Sequence, residues 1–299
     1  MIFLAIRHLF AKKKQTLFTV LGIFFGTAAF VIISGMMLGF REYLLNELIF
    51  KDAHIYISAR EEFLQEHSLD SYFSKNNSEH IFWNPGPSGR INSEKVDNPK
   101  KWVQILRQDP RVAHFSLQCT TPASLSYGKG EISVQLIGCN PEEQKFITSV
   151  GSQAIAGDFD DLSLGNNGLA IGYQIQKKLG VKLSQNVMVS TPNGSVIPFK
   201  VVAIFKKNNP IFDFSCYGLL SNVQKLKATP NQVTMIGVKL HDHTLAASLA
   251  TSWSSFGKEK IESWDQINAS LFEMFAIQDA VRFLSVGAVL VVAAFGIYN

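Results

Sequence analysis

Residues 17–38 read LFTVLGIFFGTAAFVIISGMML, an apolar run without a single charge. About 20 such residues are enough for a helix to cross the hydrocarbon core of a bilayer. The hydrophobic region of a secretory signal is only about 7–15 residues long and ends in a small-residue cleavage site. Here the apolar spacing carries on through Phe40, Leu44 and Leu45, so the run reads as a retained anchor. A second apolar stretch begins near Phe283 and is still running at Asn299. The reading is a membrane protein with a large folded domain on one side and its last crossing cut off.

The charges around the first run set its direction. Arg7 and Lys12, Lys13 and Lys14 precede it, whereas Arg41, Glu42, Glu47, Lys51 and Asp52 nearly cancel after it. Lys and Arg are retained on the cytoplasmic side of a crossing, which puts the N-terminus inside and the central domain outside. The chain of 299 residues has a net charge of +4, and its densest basic cluster abuts the apolar run rather than forming a nucleic-acid footprint. Ile2, Phe3, Ile6, Leu9 and Phe10 lie at helical spacing, as in a helix lying in the membrane interface.

Within the run, Gly22 and Gly26, and again Gly35 and Gly39, make small-xxx-small pairs that let helix backbones approach closely. Met36, Met37 and Phe40 stand at its outer end.

The segment 59–98 is rich in breakers, among them Asn76-Asn77-Ser78 and 84–89, and reads as irregular. Asn98 and Pro99 then give a start signal for a helix over 100–108. Period-two or β-rich runs follow at 112–117, 123–127 and 132–137, the last two joined as a hairpin at Tyr127-Gly128-Lys129-Gly130. A short helix after Gly172 ends at Gly180. The runs 187–190 and 196–205 make a second hairpin around Pro192-Asn193-Gly194, where Asn-Gly suggests a type I′ turn. Further elements are expected at 222–227, 233–240, 244–252 and 260–263. From Asp265 the apolar spacing is helical without a break to Asn299. Hairpins mixed with helices argue for an α+β domain and against a doubly wound parallel sheet.

Little in the chain nominates chemistry. There is no Walker-type phosphate loop, no HExxH and no Gly-x-Ser-x-Gly. His241 and His243, two apart, would share one face of a strand; polar residues near a strand end are the simpler reading, and no metal or cofactor is expected. The pairs Glu61-Glu62, Glu142-Glu143 and Asp160-Asp161 read as solvated loop residues. Cys119 and Cys139 fall near the ends of neighbouring strands, where a bridge is geometrically conceivable, but with Cys216 they read as small buried residues.

Four segments in order resemble the permease subunits of MacB/FtsX-like ABC transporters, most closely the lipoprotein-releasing (LolC/LolE) type. They are Ala5-Ile6-Arg7-His8-Leu9 with the lysines and Thr16-Leu17; 33–42, ISGMMLGFRE; 168–172, GLAIG, through 179–181 to 187–189 and 201–205; and 262–266, ESWDQ, with 293–299. The resemblance implies membrane helices with an α+β extracytoplasmic domain, a MacB-like periplasmic core domain, inserted between the first and second of four helices. It implies that the chain is not itself an enzyme. Its partners would be a separate cytoplasmic ATPase and a second permease chain, in the bacterial inner membrane. The substrate would be a lipoprotein drawn from the outer leaflet and handed to a periplasmic carrier or adaptor.

On this basis 1–14 is an interfacial helix and 15–41, extending to about 50, is the first membrane helix. Residues 51–264 are the domain, and 265–299 leads into a truncated second membrane helix. Met36, Met37 and Phe40 are candidates for the substrate path, with packing on a neighbouring helix as the competing reading. Pro192, Asn193 and Gly194 are candidates for carrier contact, although this hairpin is tight where one subunit type carries a long one. An exporter of other amphiphiles and an FtsX-like signalling subunit remain open alternatives.

Overall fold

The computed structural model describes residues 13–65, 67–73, 82–92, 95–165, 167–206 and 214–298. The interfacial helix expected over 1–14 and the breakers Asn76-Asn77-Ser78 fall, the former almost wholly, outside the described residues. In chain order the elements begin α1 (Lys13–Lys51), β1 (Ile55–Ser58), β2 (Glu61–Phe63), α2 (Asp70–Phe73), β3 (Arg90–Asn92), α3 (Pro99–Gln108), β4 (Val112–Tyr127) and β5 (Gly130–Cys139). Next come α4 (Pro141–Ile147), β6 (Ala154–Gly157), β7 (Gly168–Gly172), α5 (Tyr173–Leu179), β8 (Asn186–Ser190), β9 (Val196–Phe205) and β10 (Ser215–Leu219). The chain continues through α6 (Leu220–Leu226), β11 (Met235–Leu240), α7 (Ala246–Trp253), β12 (Lys260–Ser263), α8 (Trp264–Ile267) and α9 (Ala269–Tyr298). Two compact units result: Met1–Phe50 with Asn268–Asn299, and Lys51–Ile267.

The larger unit is organised by β4. Its first half, Val112 to Gln118, pairs antiparallel with β11, and its second half, Cys119 to Tyr127, pairs with β5. The first half belongs to an antiparallel row β12-β1-β11-β4. This row buries Ile55, Ile57, Ile236 and Val238 against Trp102 and Leu106 of α3 and Leu249 and Trp253 of α7. Helix α3 forms because Asn98 caps it, accepting from the Lys101 N–H at 3.2 Å, and because Pro99 sits at its first position. Trp102 and Leu106, four apart, then share the buried face.

The second half of β4 opens a ring. The path β4-β5-β10-β7-β9 continues to β8, which pairs both β9 and β4, so the strands close on themselves. Leu125, Leu136, Leu169, Val189, Phe199 and Val201 form one core with α5 and α6. The alternate residues of the same strands, among them Cys139, Ala170, Ala203 and Tyr217, face a second core with Phe159 and Leu162. This alternation rules out the conceivable bridge. Cys119 pairs with Gly138, so Cys139 points to the other side of the sheet. Gly138 lets α6 seat closely, since a Cβ there would run into the Val223 side chain.

Several expectations are corrected. Residues 112–127 form one strand, not two. The segment 59–98 is partly regular, because β2 and β3 pair as a two-stranded ribbon. The helix expected without a break from Asp265 is interrupted at Asn268. Glu61-Glu62, Glu142-Glu143 and Asp160-Asp161 lie in β2, the first turn of α4 and a 3-10 turn, not in loops. In the second hairpin Gly194 has φ +80° and Asn193 is not among the positive-φ residues, so the turn is not type I′. The Gly194 N–H donates to Thr191 O at 2.9 Å, closing a four-residue turn with Pro192 at its second position, as a type I turn prefers.

Gly157, at φ +74°, faces the Val202 carbonyl where a Cβ would sit, whereas Gly194 has open space around it. Gly194→Ala is expected to lower stability by about 1–2 kcal/mol, the left-handed backbone cost alone. Gly157→Ala is expected to cost clearly more, because it adds a collision to that strain. Urea titrations followed by tryptophan fluorescence will rank the two.

Candidate functional site

The first candidate region is α1 and its meeting with α9. Among the described residues, Thr16–Asn46 is the one helix long and apolar enough, by length and composition, to cross a membrane. At about 100° per residue, Gly22 and Gly26 lie on one side of α1, and Gly35 and Gly39 are centred about 140° away. No atom comes within 4 Å of a Cβ placed at any of the four. Among the described residues, two separate close-approach faces are therefore open.

Met36 and Phe40 share the side of Gly22 and are 74% and 51% exposed. Met37 is turned away from them. It lines a shallow pocket with Leu38, Arg41, Phe275, Gln278, Asp279 and Arg282. The three residues grouped in the sequence as one candidate path are thus divided, two outward and one toward α9.

The contact in that pocket is ionic and aromatic. Arg41 Nη1 donates to Asp279 Oδ2 at 3.1 Å, and Arg282 Nη2 stands 3.2 Å from Asp279 Oδ1. The Arg41 guanidinium also lies over the ring of the buried Phe275, 5.2 Å from its centroid. No periodicity in the sequence marks this cluster. Only the position of Arg41 and Arg282 at the edges of long uncharged stretches could have marked it.

The second region is the hairpin tip. Pro192, Asn193 and Gly194 are all exposed. Asn193 Nδ2 donates to Lys227 O at 2.9 Å, and Thr191 Oγ1 lies 3.4 Å from Leu226 O. The tip is tied to the C-terminal end of α6, whose last carbonyls have no acceptor role within the helix itself.

The third region, which sequence reasoning missed, is the root of the larger unit just after α1. Asp52 Oδ1 accepts from the Ala53 N–H at 2.9 Å and from the Tyr56 hydroxyl. Lys239 Nζ donates to Asp52 O at 2.5 Å. Burial of the enclosed Tyr56 hydroxyl, reinforced by Asp52, pushes its pKa well above 10.0. Burial likewise raises that of Tyr217, with Asp52 contributing. Lys239 is lowered by desolvation, which outweighs the opposing pull of Asp52.

His54 beside this root accepts from the Leu240 N–H at 3.1 Å through Nδ1. His241 and His243 do not share a strand face, because β11 ends at Leu240 and His243 begins a 3-10 turn. Among the described residues no group of three or more His, Cys, Asp or Glu could hold a metal.

The family model of the MacB-like periplasmic core domain matches residues 16–254. The chain belongs to that family. The larger unit is accordingly a MacB-like periplasmic domain with an α+β fold, preceded by the apolar helix α1. Among similar proteins, a lipoprotein-releasing system transmembrane protein LolC of Neisseria meningitidis serogroup B is 22% identical over 99% of this chain and 68% of its own length. The LolC protein of Xylella fastidiosa strain Temecula1 is 20% identical over the same shares. The periplasmic region of MacB from Actinobacillus actinomycetemcomitans, at 16% identity, covers 76% of this chain and 95% of its own with a TM-score of 0.46. The extracellular domain of the ABC-type transporter YknZ from Gram-positive bacteria, at 12% identity, covers 71% of this chain and 99% of its own with a TM-score of 0.43.

The Asp52 root of this MacB-like domain gives a prediction with a defined sign. A tyrosine pKa raised on folding contributes stability that is present below about pH 10 and lost as the pH climbs toward the folded value. Tyr56→Phe removes the hydroxyl and is expected to cost about 1 kcal/mol at neutral pH, while its stability falls less steeply above pH 10 than that of the wild type. Tm measured across that range in both proteins checks it. Parallel curves would refute the upward shift of the Tyr56 hydroxyl.

Proposed function

We propose that this chain is a permease subunit of an ABC transporter that extracts lipoproteins from the outer leaflet of the bacterial inner membrane. The reading places α1 as the first membrane helix, with the N-terminus cytoplasmic and the MacB-like domain in the periplasm. It places α9 as the start of a second membrane helix, so that the domain stands between the two. Energy would come from a separate cytoplasmic ATPase, and a second permease chain would complete the path.

The observation that carries it is the match of 99% of this chain to 68% of a lipoprotein-releasing transmembrane protein, together with the outward apolar side chains at the outer end of α1. Acyl chains need an apolar wall that adapts in shape, and methionine, unbranched and polarizable, suits that. Met36 and Phe40 are the wall on this account. Met37, half-buried at the Arg41 pocket, is where the wall meets α9. The basic residues at the start of α1 support the orientation.

Under the same reading the exposed Pro192-Asn193-Gly194 tip is the carrier-facing surface, held in a fixed pose by Lys227. Asn193→Ala would release that pose. Transfer of released lipoprotein to a carrier is expected to slow with extraction unchanged, in an assay with proteoliposomes and added carrier. An unchanged transfer rate would remove the tip from the path.

A photo-crosslinking residue placed at Met36 or Met37 is expected to capture acylated lipoprotein in cells. Val31, exposed and about 180° round α1 from Phe40, is the lipid-facing control. Labelling no stronger at the methionines than at Val31 would overturn the path.

A further inference from the structure

We infer that Arg41 and Arg282 together form a binding site for the phosphate headgroup of an anionic phospholipid in the outer leaflet. The inference rests on the reading of α1 as a membrane-crossing helix and names a ligand that reading does not include.

Depth comes first. Lys14 and Arg41 bracket an uncharged stretch, 15–40, of one continuous helix. At about 1.5 Å per residue the two charges stand about 40 Å apart, close to the thickness of a bilayer measured through its headgroups. With Lys14 at one headgroup layer, Arg41 falls in the other. On α9, Arg282 is the last charge before the uncharged stretch 283–298, so it also marks the edge of an apolar span. The ion pair between Arg41 and Asp279 brings these two edges together.

Charge and hydrogen-bonding capacity come next. Two guanidiniums share one carboxylate, which leaves the cluster one positive charge in excess. Each arginine has five N–H donors, and one nitrogen of each is engaged with Asp279. The remaining donors and the planar fork suit a phosphate. The arginines are partly exposed, at 38% and 28% of their side-chain surface, so a headgroup can reach them. Two further acids lie near. Glu42 is exposed and about 100° round α1 from Arg41, and Glu273 is exposed about 9 Å along α9 from Asp279, on the side away from the apolar span. Neither is on the apolar side.

That apolar side carries exposed Phe40 on α1 and exposed Phe283 and Leu284 on α9. A group bound there by its phosphate would find apolar side chains immediately beyond for its acyl chains. A soluble phosphate uses only the arginines, whereas a phospholipid uses both.

The test is native mass spectrometry of the full chain released from phosphatidylcholine nanodiscs doped with phosphatidylglycerol. Wild type is expected to retain phosphatidylglycerol in preference to phosphatidylcholine. Arg282→Gln and Arg41→Gln are each expected to lower that retention about fivefold, the effect of one basic residue near a charged leaflet. Asp279→Asn is the discriminating variant. It breaks the bridge but frees both guanidiniums, so a headgroup site predicts retention above wild type, whereas a purely structural clip predicts a loss like that of the arginine variants. Equal retention in wild type and both arginine variants, or a loss in Asp279→Asn, would overturn the inference. So would displacement of the lipid by millimolar inorganic phosphate, which would make it a site for the free anion. Resistance of the chain to alkaline carbonate extraction from membranes is measured in parallel. If the chain is extracted, the membrane reading itself fails; if it stays and the lipid counts do not change, only the headgroup site fails.

Discussion

The pairing of β1 with β12 is the constraint on which the larger unit depends. Ile55 lies opposite Ser263 and Ser58 opposite Lys260, and the Trp264 N–H donates to His54 O at 2.9 Å. Antiparallel neighbours start and finish together, so the residues that follow α1 and those that lead into α8 emerge at the same end of the sheet. A folded domain inserted into a chain has to return its two ends to nearly one place. Four residues on each side do so here. The pairing is also well anchored: β1 is bonded to β11 on its other edge, and Asp52, Tyr56 and Lys239 bind the turn before it.

From that root the strand β4 carries rigidity outward. It is shared between the antiparallel row and the closed ring of strands, so one unbroken strand joins the core of the row to those of the ring. The ring leaves few open edges, which limits adventitious strand pairing. The hairpin tip is part of the same framework, since Asn193 fastens it to the end of α6. Any partner that meets this tip meets a surface already set, with little ordering entropy left to lose on binding.

Much of this was legible in the sequence where a local cause suffices. Asn98 and Pro99 announced α3, Gly180 at φ +68° ended α5, and Gly128 at φ +60° opened the turn between β4 and β5. The long β4 was not legible, because Pro122 reads as a break. It is tolerated since β11 pairs only up to Gln118 and β8 only from Ser124, leaving β4 with a neighbour on one edge at Pro122. Strands β7 and β10 were missed because they are buried on both faces and carry no alternation. The Asp52 root and the Arg41 cluster were invisible for another reason. Each joins residues far apart in sequence, and single charges carry no period.

The account stands or falls on what the protein moves. The most direct measurement is to deplete it in its own cell and follow lipoproteins through inner- and outer-membrane fractions separated by density. The account predicts that lipoproteins destined for the outer membrane accumulate in the inner-membrane fraction before growth slows. An unchanged distribution of lipoproteins, with altered sensitivity to amphiphilic toxins instead, would contradict it.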